Sequence, residues 1–120
     1  MSKIILVADD SPDIRYLLRT ILELEGFDVL IVGNGREAYD AIKKQHVDLV
    51  ISDIMMPEMD GWELMKRIRE ELKLKIPIIA LTARADALSK KLSKQRYTVQ
   101  AYITKPFERK ELIAAVKKYV

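Results

Sequence analysis

Five short apolar runs, at residues 3–8, 29–32, 49–51, 77–81 and 101–103, alternate with stretches of helical periodicity along the 120 residues. Runs that are nearly continuous in apolar character mark strands covered on both faces, as in a parallel sheet, and strand–helix alternation supplies the right-handed crossovers such a sheet needs. The expected fold class is therefore α/β, five parallel strands with five helices packed as a three-layer αβα sandwich. All strands of such a sheet point the same way, so whatever follows each run collects along one edge, where open α/β sheets bind ligands. Asp9 and Asp10 follow the first run, Asp53 the third, Thr82 the fourth and Lys105 the fifth.

The helices carry their own punctuation. Ser11-Pro12 offers a cap and a first-turn proline ahead of Ile14, Leu17, Leu18, Ile21 and Leu22, and Gly26 stops that helix. Asn34 with Glu37 three residues on has the spacing of a capping box, with Ala38, Ala41 and Ile42 as the inner stripe. Trp62, Met65, Ile68 and Leu72 predict a third amphipathic helix. Residues 86–96 hold few apolar anchors, chiefly Leu88 and Leu92, so the fourth is expected to be weakly held. Residues 108–120 close the chain as a basic helix with Leu112, Ile113 and Val116 inward. No repeat, linker or low-complexity tract interrupts the pattern, and one domain over 1–120 is expected.

Composition narrows the chemistry. With 49% hydrophobic residues and no cysteine, the chain can bury one core but has no thiolate metal site, disulfide or cysteine nucleophile. The first apolar run is too short for a signal peptide or membrane span, so a soluble, cytoplasmic protein is expected. Residues 1–83 hold 11 Lys/Arg against 15 Asp/Glu, a net of −4, and residues 84–120 hold 10 against 3, a net of +7. That basic end could meet an acidic partner or nucleic acid, or be a solvated pair of lysine-rich helices. His46, the sole histidine, lies in a polar exit and is read as a loop residue. The methionines at 55, 56, 59 and 65 are read as packing.

Asp53 precedes a Pro/Asp/Gly turn and, taken alone, could equally be a cap. Gathered with Asp9 and Asp10 it makes a set of carboxylates that repel unless neutralised, raising the pKa of at least one. An all-oxygen donor set without Cys and with one remote His suits Mg²⁺. A carboxylate nucleophile, a lysine cation and a threonine hydroxyl around one point are the parts phosphoryl transfer requires, and a carboxylate can itself take the group as an acyl phosphate.

Four segments, Ile4-Ile5-Leu6-Val7-Ala8-Asp9-Asp10, Asp53-Ile54-Met55-Met56-Pro57-Glu58-Met59-Asp60-Gly61, Ala80-Leu81-Thr82-Ala83 and Tyr102-Ile103-Thr104-Lys105-Pro106-Phe107, resemble in order the response-regulator receiver domain of two-component signalling, over the whole chain and similar to the stand-alone chemotaxis type. The resemblance implies a flavodoxin-like fold with strand order 2-1-3-4-5. It implies a phosphorelay switch rather than an enzyme acting on an external substrate. Asp53 would accept a phosphoryl group from a sensor histidine kinase or a histidine phosphotransfer protein. Mg²⁺ would be held by Asp10, Asp53 and the Met55 carbonyl, with Asp9 acting mainly through water. Thr82 and Lys105 would bind phosphoryl oxygens, the Lys105-Pro106 peptide would be cis, and Tyr102 would be the switch aromatic. Output would pass to a downstream protein through the surface of the fourth helix, fifth strand and fifth helix, with no membrane or direct nucleic-acid role and the protein a monomer or a phosphorylation-dependent dimer. Moving a two-state switch from 99:1 to 1:99 takes about 5.5 kcal/mol, which two charge-assisted hydrogen bonds of roughly 1.5 to 3 kcal/mol each can supply.

Two stretches depart from the resemblance. Gln95-Arg96-Tyr97-Thr98-Val99-Gln100 replaces a small Gly-Ala pair before the fifth strand and lacks a glycine C-cap, so an irregular, shifted or mobile fourth helix is expected. Met55 and Arg84 stand where the family tunes phosphoryl lifetime, and neither offers a carboxylate or amide to orient water, so slow autodephosphorylation is expected. Three other readings stand beside the receiver: a phosphorylation-independent interaction module on the same fold, an aspartate-nucleophile phosphatase, and a flavin-binding doubly wound protein. The phosphatase pattern does not fit Asp9-Asp10-Ser11-Pro12-Asp13, and the acidic loop lacks the donors a flavin phosphate needs.

Overall fold

The computed structural model describes residues 2–83 and 99–120. Strands β1 (Ile4–Ala8), β2 (Asp28–Val32), β3 (Leu49–Asp53), β4 (Ile78–Thr82) and β5 (Ala101–Thr104) form one sheet in the order β2-β1-β3-β4-β5. Every neighbouring pair is parallel. Four helices lie among the described residues: α1 (Pro12–Leu24), α2 (Gly35–Lys44), α3 (Gly61–Lys66) and the C-terminal α4 (Arg109–Tyr119). The helix expected over residues 86–96, and the irregularity expected of it, fall outside the described residues.

Alternation along the buried strands sorts the core into two halves. Leu6, Ala8, Val50, Ile78 and Ala80 face α2 and α3, where Ala38, Ile42, Leu64, Met65 and Ile68 close over them. Ile5, Val7, Leu49, Ile51, Ile79, Leu81 and Ile103 face α1 and α4, meeting Leu18, Ile21, Leu22, Leu112 and Val116. Ile113, expected inward, is half-buried at the border of the second half. The inner strands β1, β3 and β4 are dry on both faces, which explains why they read as apolar runs.

The helix starts follow the sequence signals. Ser11 accepts from the Ile14 N–H with Pro12 in the first turn, and Asn34 accepts from the Glu37 N–H at 2.8 Å. Asp60, expected only as a turn residue, caps α3 by accepting from the Glu63 N–H at 2.9 Å. The third helix departs from expectation. Its regular part ends at Lys66, and Arg67–Glu71 widen into a π turn in which the Leu72 N–H reaches the Arg67 carbonyl at 2.9 Å. Ile68 stays fully buried through that turn while Leu72 ends half-exposed, so the 3.6-residue spacing holds only over its first part. Among the described residues, no helix is long and apolar enough to cross a membrane.

Candidate functional site

The parallel sheet brings Asp9, Asp53, Thr82 and Lys105 to its carboxyl edge, as expected. β1 ends at Ala8 and hands the chain to Asp9 and Asp10, and β3 ends on Asp53 itself. Thr82 closes β4 one residue beyond Leu81, which pairs with Asp53. Its carbonyl accepts from the Lys105 N–H at 2.7 Å, tying the loop after β5 to the end of β4. The Lys105-Pro106 peptide is cis.

Asp9 and Asp53 are buried and Asp10 is exposed, and their carboxylate oxygens lie within 4.8 Å of one another. Lys105 reaches into this group, its Nζ 2.7 Å from Asp9 Oδ2 and 3.1 Å from Asp53 Oδ2. One ammonium thus bridges two acids. Burial pushes the Asp53 carboxyl above its ordinary pKa; Lys105 opposes this, and the Asp9 charge adds to it. The expected upward shift is present, but lost hydration, more than repulsion, drives it. Burial alone would lower the Lys105 pKa, yet the hydrogen bonds and charges of Asp9 and Asp53 hold it above the usual lysine value.

Each acid is placed by backbone donors. Asp53 Oδ1 faces the Met55 N–H at 3.3 Å, and Asp9 Oδ1 accepts from the Ser11 N–H at 2.9 Å. Gly61 allows the loop after β3 to return: its N–H donates to the Ile54 carbonyl at 2.8 Å, and a Cβ there would run into the Asp53 carbonyl oxygen. Met55 is exposed beside the site. Tyr102 is half-buried against the α2/α3 side of the core, and burial raises its phenol pKa.

Two supporting residues carry no sequence signal of their own, and a third has a role beyond the one its signal gave. Arg15 donates from Nη1 to the Asp9 carbonyl at 2.8 Å, one helical turn beyond the Ser11 cap. Buried Ser52 donates to the Asp53 carbonyl at 2.9 Å. Ser11, read only as a cap, also anchors Asp9 through its backbone. His46 is a loop residue as expected, its Nε2 2.7 Å from Asp48 Oδ1.

Three carboxylates within reach of one point, with no sulfur or imidazole among them, form an oxygen donor set of the kind Mg²⁺ takes, so the residues present fit that ion. The same set offers an oxygen nucleophile beside a fixed cation.

Comparison with known proteins points the same way. The response regulator receiver domain family matches residues 5–117. An uncharacterized 14.6 kDa protein from the sodA1 3′ region of Leptolyngbya boryana is 44% identical over 116 residues, 96% of this chain and 88% of that protein. Other curated relatives, transcriptional and DNA-binding regulators among them, are longer, and the chain spans 43 to 50% of their length. The chemotaxis response regulator CheY4 of Vibrio cholerae superposes with a TM-score of 0.89 at 30% identity, with 100% of both chains covered. The receiver domain of the Pseudomonas aeruginosa sensor histidine kinase PA1611, which holds a magnesium ion in its active-site cleft, superposes at 0.87 with 28% identity, covering 99% of this chain and 98% of that one. With the family model matched over residues 5–117, a relative 44% identical over nearly its whole length and the strand order β2-β1-β3-β4-β5, the chain belongs to the response regulator receiver domains of two-component systems.

Proposed function

We propose that Asp53 is the phosphoacceptor of a phosphorelay, taking its phosphoryl group from a phosphohistidine on a sensor kinase or histidine phosphotransfer protein. The observation that carries this reading is the Asp53 carboxylate itself, buried at the end of β3 with one oxygen on the Lys105 ammonium. In the transfer, an Asp53 oxygen forms a bond to phosphorus as the phosphorus–nitrogen bond breaks, and the imidazole leaves with the electron pair and is reprotonated. Lys105 already holds a positive charge against the acceptor carboxylate, where charge on the transferring oxygens develops. The Thr82 hydroxyl at the end of β4 is the second donor to those oxygens. Asp10, Asp53 and the Met55 carbonyl would hold Mg²⁺, with Asp9 acting through water. The ion's chemistry is neutralisation of phosphoryl charge.

Once Asp53 is modified, Thr82 is drawn toward it and Tyr102, half-buried on the next strand, follows inward. The change is read by a downstream protein at the surface that includes β5 and α4. The protein acts as a cytoplasmic switch, a monomer or a dimer once phosphorylated, and its only chemistry is on itself. Labelling with a phosphohistidine donor followed by hydroxylamine tests the linkage. An acyl phosphate loses its label, whereas label that survives would place the group on a hydroxyl and overturn the proposal.

A further inference from the structure

At the opposite edge of the sheet, where β4 and β5 begin, lies a cavity of about 490 Å³ whose described lining is Arg69, Lys73, Leu74, Lys75 and Gln100. Three of these five are cations and none is an acid. The nearest acidic side chains in sequence, Glu70 and Glu71, line a separate depression with Glu63, Lys66 and Arg67, and Glu71 is paired with Arg67 at 3.4 Å. The volume is in the range of small-molecule sites.

The cations are built into the turn that leaves α3. Arg69 is half-buried, and its Nη1 donates to the Leu74 carbonyl at 2.8 Å, which fixes the guanidinium across the turn. Lys73 has φ of 54°, in the left-handed region, and the Leu74 N–H closes on the Ile68 carbonyl at 3.0 Å around it. That bond spans one residue more than the closure of a Schellman motif, in keeping with the π turn before it, and the left-handed residue just past a helix end is ordinarily glycine. A lysine there carries strain that a glycine would not, and such strain persists where a side chain is wanted for something else. Gln100 turns its side-chain oxygen to the Ile78 N–H at 2.7 Å, so what it can offer a ligand is its NH₂ group, one more donor. Gln100 also belongs to the stretch whose bulk replaces the small residues expected before β5.

We propose that this cavity is a binding site for a small diphosphate-bearing anion, separate from the phosphoacceptor edge. Three cations and an amide donor match a diphosphate better than a single phosphate group, which brings at most about two charges. The acids at the far edge repel the same ligand when no metal is bound, so the two sites are separable by experiment.

The test is titration of inorganic pyrophosphate into ¹⁵N-labelled protein in EDTA, with amide shifts as the readout. The expected result is saturable movement at Leu74, Lys75 and Gln100, one site per chain, weakened as salt is raised. Lys73→Gly relieves the left-handed strain, so it should raise the melting temperature yet weaken pyrophosphate binding about fivefold or more. Lys75→Gln should weaken it similarly, and Lys117→Gln should leave it unchanged. ADP tests whether a nucleoside adds affinity against Leu74; tighter binding than pyrophosphate makes the ligand a nucleotide, and equal binding makes it the diphosphate alone. Shifts that do not saturate, or an affinity that Lys73→Gly and Lys75→Gln leave intact, would overturn the site.

Discussion

Lys105 is the residue on which the electrostatics of the acidic edge turn. Its ammonium pairs with Asp9 and Asp53 together, and both acids are almost out of reach of water, so Lys105→Met strands two charges that no other cation among the described residues is seen to pair. Without metal that variant should lose roughly 3 kcal/mol of stability in urea denaturation, the usual cost of breaking a buried pair, and added Mg²⁺ should restore part of it. Asp53 predicts a pH dependence of opposite sense to most carboxylates. Its folded pKa is raised, so the stability that its protonated form contributes is present below the ordinary carboxylate pKa and lost as pH rises through the folded value. Asp53→Asn keeps a neutral group there, and in EDTA at neutral pH it should melt about 4 °C higher, corresponding to roughly 1 kcal/mol. The difference should shrink as the pH falls through the raised pKa. A variant that is less stable at neutral pH, with the gap widening in acid, would reverse the assignment. Exposed Met55 supplies no group to orient water, so the phosphorylated protein should dephosphorylate slowly; a half-life of seconds after loading would contradict this.

At the scale of elements, the return of the chain from β3 to α3 sets where Asp53 stands. Gly61→Ala forces Asp53 and Ile54 backbone atoms apart, and overpacking of that kind costs about 1 to 3 kcal/mol. It should also slow phosphorylation more than the stability loss explains, because the acceptor moves with its carbonyl; unchanged labelling would show the loop yields elsewhere. The strands and the caps at Ser11 and Asn34 were legible because each rests on local chemistry: a dry strand needs an unbroken apolar run, and a helix start needs an acceptor. The π turn at Arg67–Glu71 was not, since Ile68 keeps the helical spacing through it and the extra residue is absorbed before Leu72. Ser52 and Arg15 were equally silent, because a side chain bonding a distant carbonyl leaves no periodic trace.

For the whole molecule, topology does the gathering. Asp9, Asp53, Thr82 and Lys105 are far apart in sequence, and the parallel order β2-β1-β3-β4-β5 alone places them on one edge, which is why the acidic site could be read from strand ends before any distance was known. The cationic cavity at the other edge could not, since Arg69, Lys73 and Lys75 are spaced as an ordinary charged helix exit and only the folded turn brings them to line one cavity with Gln100. The proposed switch depends on Asp53 being the group that takes the phosphoryl group. Intact-mass measurement after acetyl phosphate and Mg²⁺ tests that most directly: the wild type should gain one phosphoryl group and Asp53→Ala, still folded, should gain none. A phosphoryl adduct on Asp53→Ala, or none on the wild type, would contradict it.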